Sequence, residues 1–176
     1  MISATLGVAS LCFGGLQPWD FFGDLWLLWW LGDAGGALIV APFILIWARW
    51  PADPTKNLGE ALLLMGSLLV ASIGIFTEPS IIGVTGRAFI YIIFPFVIWA
   101  ALRFGQRGTS FVTLMACGMA IWATLHDLGP FTSESVSQSL VLLQSFMAIV
   151  AVTGLCLSAA ITERVRAEMA LRRSEE

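Results

Sequence analysis

An aspartate interrupts the apolar stretch WWLGDAGG at residues 29–36. A carboxylate at membrane depth is costly unless it is paired, protonated or in contact with water. Asp33 is therefore the first residue whose chemistry needs an account. It falls about eight residues past the start of an apolar run, about 12 Å down a helix axis. Gly32 and Gly36 flank it at GxxxG spacing, which admits a second helix backbone closely. Arg87 is the one basic residue expected at the same side, and a planar guanidinium binds a carboxylate through two parallel hydrogen bonds. An Asp33–Arg87 pair is the expectation, either fixing helix packing or lining a polar cavity that senses a ligand. A protonated Asp33 bonded to a backbone carbonyl is the alternative.

The other residues that could do chemistry are few. His126 is the only histidine. It stands beside Asp127, which makes it either a pH-sensitive group or a solvated helix cap. Pro95 is expected to kink the middle of a span by removing a backbone donor. Cys12, Cys117 and Cys156 fall in apolar runs without a CxxC pair, so they read as packing residues rather than as zinc ligands or a disulfide framework. The sequence contains no Ser/His/Asp set, no phosphate-cradling glycine loop and no metal-ligand cluster. It gives no catalytic residue, metal site or cofactor site, and no feature that points to nucleic acid.

The elements that must hold these residues are membrane helices. The 176-residue chain is 58% hydrophobic and 12% charged, with a net charge of −3. Ordinary soluble domains are about 25% charged. A helix needs about 20 mostly apolar residues to cross a bilayer. Six runs qualify as candidates: Met1–Leu16, Leu25–Trp47, Leu58–Phe76, Ala88–Leu102, Thr109–Leu125 and Ser139–Ile161. The fold class is all-α, a polytopic transmembrane bundle of about six spans with a C-terminal cytoplasmic helix. Two runs are short. The first suits a chain whose natural start lies further upstream. The fourth leaves about 23 Å between Arg87 and Arg103, so one of the two arginines must snorkel or sit below the surface.

Connections such as PADPTKNLG, RFGQRG and DLGPFTSES carry turn residues and mark membrane surfaces. Arg49, Lys56, Arg103, Arg107 and the four arginines of the tail share one side. Basic loops face the cytoplasm, so both termini of the sequence are expected there. The opposite side carries Asp20, Asp24, Glu78, Asp127 and Glu134, with Arg87. Trp19, Trp26, Trp47 and Trp50 suit interfacial anchors.

The end of the chain, ITERVRAEMALRRSEE, differs in kind. Ile161, Val165 and Met169 keep an i, i+4 stripe, and Glu168 and Arg172 are spaced for an ion pair within one helix. Residues 1–162 thus read as an integral membrane domain and residues 163–176 as a cytoplasmic linker helix toward a missing output domain.

WWLGDAGGALIVAPFILIW, GRAFIYIIFPFVIWAALRFGQRG, LGPF, SLVLLQSFMAIVAVTGL and ERVRAEMALRRSEE together resemble the first family of membrane-associated sensor (MASE) domains. These are bacterial inner-membrane input modules found ahead of PAS domains, histidine kinases and cyclic di-GMP enzymes. The resemblance covers nearly the whole chain, and it implies more spans than the six read here. It implies functional positions at Asp33, Arg87, Pro95, Trp99, Arg103, Gly129, Pro130 and Gln144. It also implies a non-catalytic module whose full-length protein carries kinase or cyclic di-GMP activity. The partners it implies are the lipid bilayer, a second copy joined through the C-terminal helix, and a small-molecule or membrane-protein stimulus. A small transporter or channel subunit and a passive membrane anchor are the competing readings. A transporter would call for an inverted repeat or paired broken helices, and the sequence shows one charged span.

Overall fold

The computed structural model describes residues 1–48, 58–77, 90–133 and 135–175. It is all-helical over them: α1 (Ile2–Phe13), a 3-10 turn (Trp19–Phe21), α2 (Phe22–Ala48), α3 (Leu58–Thr77), α4 (Ile93–Leu125) and α5 (Val136–Glu175). Four of these helices, α2 to α5, are long and apolar enough to cross a membrane. The count differs from six for two reasons. α1 has 12 residues, too few to cross without help. The expected fourth and fifth spans are joined into α4.

That junction is a reversal. Within α4, Gly105 has φ 61° and ψ −148°, a region open essentially to glycine alone. A Cβ on Gly154 of α5 would lie 3.5 Å from Val97 Cγ1 and 3.1 Å from Thr109 Cγ2. A straight helix would hold residues 97 and 109 about 18 Å apart. The chain therefore folds back at Gly105, and α5 packs against both arms. Gly108 completes the turn, because a Cβ there would overlap Phe104 Cβ. Hydroxyls in the first turns of the second arm bond back to the backbone beside the break. Thr109 Oγ1 donates to the Gly105 carbonyl at 2.8 Å and Ser110 Oγ to the Arg107 carbonyl at 2.9 Å. Such back-bonds give buried hydroxyls a partner within their own helix.

Pro95 does not kink a span. It stands in the first turn of α4, which begins at Ile93, where the backbone donor it lacks would have had no partner within the helix.

The second arm of α4 buries Thr109, Thr113, Ala116, Ala120 and Ala123. Their alternating spacing of four and three residues puts small side chains along one stripe, and α5 lies on it through Leu143, Val150, Gly154 and Ser158. Close packing of small residues is what holds membrane helices together, since lipid is as apolar as leucine. α1 follows the same rule with Ala4, Val8 and Cys12 buried at i, i+4 and i+8. Trp29 of α2 lies over Gly7, and Trp26 Nε1 donates to Thr5 Oγ1 at 2.9 Å.

The two ends of the bundle are closed differently. At one end Phe76, Phe131 and Phe146 form a ring cluster with centroids 5.1–6.4 Å apart. Asp127 (φ 56°) ends α4 in a left-handed cap, and the Leu128 amide returns to the Ala123 carbonyl at 2.8 Å. Gly129 (φ 87°) then passes so close to α3 that a Cβ would lie 3.1 Å from the Phe76 carbonyl. Pro130 turns the chain away, and Ser135 caps α5 by accepting the Gln138 amide at 3.1 Å. The other end carries the Gly105 turn and the charged groups described next.

Candidate functional site

Two polar constellations tie the helices together. The first joins α3 to the first arm of α4. Arg103 donates from Nε to Glu60 Oε1 at 2.6 Å and from a terminal nitrogen to Glu60 Oε2 at 2.7 Å. Trp99, one helical turn earlier, donates its indole N–H to Glu60 Oε1 at 3.2 Å. This is the parallel, two-point pairing in which a guanidinium is most directional. The Glu60 side chain is 21% exposed and the Arg103 side chain 54%, so the carboxylate sits inward and the cation reaches out. Trp99 and Arg103 were expected on resemblance alone. Their common partner Glu60, 43 residues earlier than Arg103, was not. The signal for it was faint: it is the lone acid at the start of its span.

The second constellation joins α5 to α2. Gln144 Nε2 donates to the Leu28 carbonyl at 3.2 Å and would lie 3.2 Å from a Cβ on Gly32. Its Oε1 is buried without a partner among the described residues. Gly32 thus makes room for a side chain, not for a helix backbone. A Cβ on Gly36 would meet nothing within 4 Å, so among the described residues no close helix approach is made there. Asp33, one residue beyond Gly32, is exposed, and no ion pair reaches it among the described residues. Arg87, its expected partner, lies outside those residues, as do Lys56, Glu78 and Glu134.

His126 is exposed and its Nδ1 is 2.8 Å from the Trp122 carbonyl. Its ring lies over Trp122 with centroids 4.6 Å apart. The histidine is thus bound to the preceding turn and not to Asp127. Cys12 and Cys117 are buried, whereas Cys156 is exposed. Where α2, α4 and α5 meet, Thr109, Ser110, Thr113 and Ser158 line a cavity of about 20 Å³, room for about one water. No cluster of three metal-ligating side chains occurs among the described residues.

α5 continues as one helix to Glu175. Beyond Thr162 its described side chains are exposed, including Val165 at 48% and Met169 at 52%. The spacing-based ion pair is present, with Arg172 2.8 Å from Glu168. These constellations brace helices; they do not form a nucleophile, base or electrophile set.

No curated protein and no solved structure matches the chain. The MASE1 family model matches residues 1–165. That span takes in the apolar helices, both polar constellations and the Gly105 turn, and the chain belongs to the MASE1 family of membrane sensor domains.

Proposed function

We propose that the chain is the signal-input module of a larger bacterial signal-transduction protein and biases a downstream PAS, histidine kinase or cyclic di-GMP enzyme domain through α5. The observation that carries this reading is the continuity of α5 from Val136 to Glu175. Its first half is packed against both arms of α4, and its last turns are exposed. A displacement of the packed half is thereby carried along a rigid rod to whatever follows.

In this reading the module crosses the inner membrane about six times, with α1, α2, α3, the two arms of α4 and α5 as the crossings. Both ends of the sequence lie in the cytoplasm, on the side of Arg103, Arg107 and the tail. The stimulus is a small molecule or a membrane protein. The stripe Ile161, Val165 and Met169 supplies a seam for a second copy of α5. Any catalytic activity belongs to the full-length protein.

Insertions after Glu163 test the reading in the full-length protein. One residue rotates everything downstream by about 100°, whereas seven restore the phase to within about 20°. Output activity is expected to change with one to three added residues and to recover with seven. Indifference to every length would identify α5 as a passive tether.

A further inference from the structure

Four hydroxyls among the described residues line the cavity of about 20 Å³ where α2, α4 and α5 meet. Three of them have already given their hydrogens to helix carbonyls: Thr109 to Gly105 at 2.8 Å, Ser110 to Arg107 at 2.9 Å and Ser158 to Leu155 at 3.2 Å. What they still offer is lone pairs. Thr113 is the exception. It is only 6% exposed, and its hydroxyl has no hydrogen-bond partner among the described residues. Its Oγ1 faces α5, 3.0 Å from where a Cβ would stand on Gly154, which also lines the cavity.

α2 adds a further acceptor. Pro42 stands inside α2 and has no backbone N–H, so the Leu38 carbonyl lacks its i+4 donor. Both residues line the cavity. A buried hydroxyl or carbonyl without a partner is costly, and ordered water is one of the groups that satisfy the backbone freed by a proline in a membrane helix. The volume exceeds the roughly 10–15 Å³ that one water needs. Water also matches the lining in both senses. It accepts the Thr113 hydrogen, and it has two hydrogens of its own for the Leu38 carbonyl and a hydroxyl lone pair. A bare cation would take the lone pairs but leave the Thr113 hydrogen without an acceptor.

We propose that this cavity is a binding site for a single water molecule, which accepts from Thr113 and donates to the Leu38 carbonyl and to one of the three engaged hydroxyls. Three hydrogen bonds are typical of buried water. The molecule ties the proline break of α2 to the second arm of α4 and to α5, so at this level α2 is joined to its neighbours through an exchangeable group. Binding does not depend on α5 carrying a signal.

The test is solid-state NMR of the chain in lipid bilayers, reading magnetisation transfer from water to the methyl groups of Thr113 and of Ala120, which is buried on the same stripe of α4. Transfer is expected at Thr113 and not at Ala120. Thr113→Val keeps the shape of the side chain and removes its donor, and the loss of one hydrogen bond is expected to lower transfer at residue 113 about five-fold. Pro42→Ala returns an N–H to the Leu38 carbonyl and is expected to lower transfer at Thr113 to a similar extent. Should Thr113→Val fail to fold, Pro42→Ala decides. No transfer at Thr113, equal transfer at Thr113 and Ala120, or undiminished transfer in either folded variant would overturn the proposal. Transfer that emerges only when choline replaces sodium in the buffer would also overturn it, and would assign the oxygens to a cation.

Discussion

In the most apolar stretch of α4, 44% of the residues are buried within the chain, whereas in that of α2 only 11% are. Both stretches are strongly apolar, so hydrophobicity does not separate them. What differs is the size of the residues facing a neighbour. α4 offers Thr109, Thr113, Ala116, Ala120 and Ala123 as a buried stripe, and α5 answers with Gly154. α2 offers Gly35 and Gly36, where a Cβ would meet nothing within 4 Å, together with exposed Val40, Ile44 and Leu45. In a bilayer an exposed leucine costs nothing, so close steric fit decides which helices form a core.

The contrast is broken most severely at Gly154. A Cβ there already stands 3.0 Å from Thr113 Oγ1 and 3.1 Å from Thr109 Cγ2, so Gly154→Leu is expected to lever α5 off both arms of α4 at a cost of about 3 kcal/mol. Thermal unfolding in detergent reads this as a clear fall in midpoint. Gly105→Ala comes next, with a cost of about 1–3 kcal/mol for forcing a side chain into the glycine-only region. Cross-linking of cysteines placed at residues 97 and 109 reports whether the arms still meet, and the yield should drop. Removing Glu60 or Arg103 has a smaller effect because Arg103 reaches outward. The signature is non-additivity: once Glu60→Gln has been made, Arg103→Gln should do little more, and additive losses would show that the pair is not coupled. Gly36→Leu should be close to neutral, within about 0.5 kcal/mol. A large loss there would mean that α2 is covered by something beyond the described residues.

The same contrast explains what the sequence made legible. Apolar runs fixed by bilayer thickness gave the helices, and α3 follows its expected bounds to within a residue. RFGQRG read correctly as a connection, although one glycine performs the reversal inside what continues as helix. Pro95 was misjudged because the start of α4 depends on its neighbours, not on the proline. The Gly32–Gly36 spacing announced room for a neighbour without saying which. The occupant at Gly32 is Gln144, which comes from α5, more than a hundred residues away. Glu60 escaped notice for the same reason: nothing local to α3 signals an arginine in α4. Asp33 remains the residue whose chemistry is most conspicuous in the sequence and least accounted for by contacts among the described residues.

The reversal at Gly105 bears on how this polypeptide enters a bilayer during synthesis. With no loop between its arms, α4 has no slack that would let one arm insert while the other waits outside. Among the described residues the α-helical part of the first arm, Ile93–Phe104, is about 18 Å long, short for a lone crossing. If both arms lie in the membrane, they are expected to pass from the insertion machinery into lipid together, as a helical hairpin. On that expectation the glycine that shapes the mature fold would also set an order of assembly, with α4 complete before α5 arrives to clasp it.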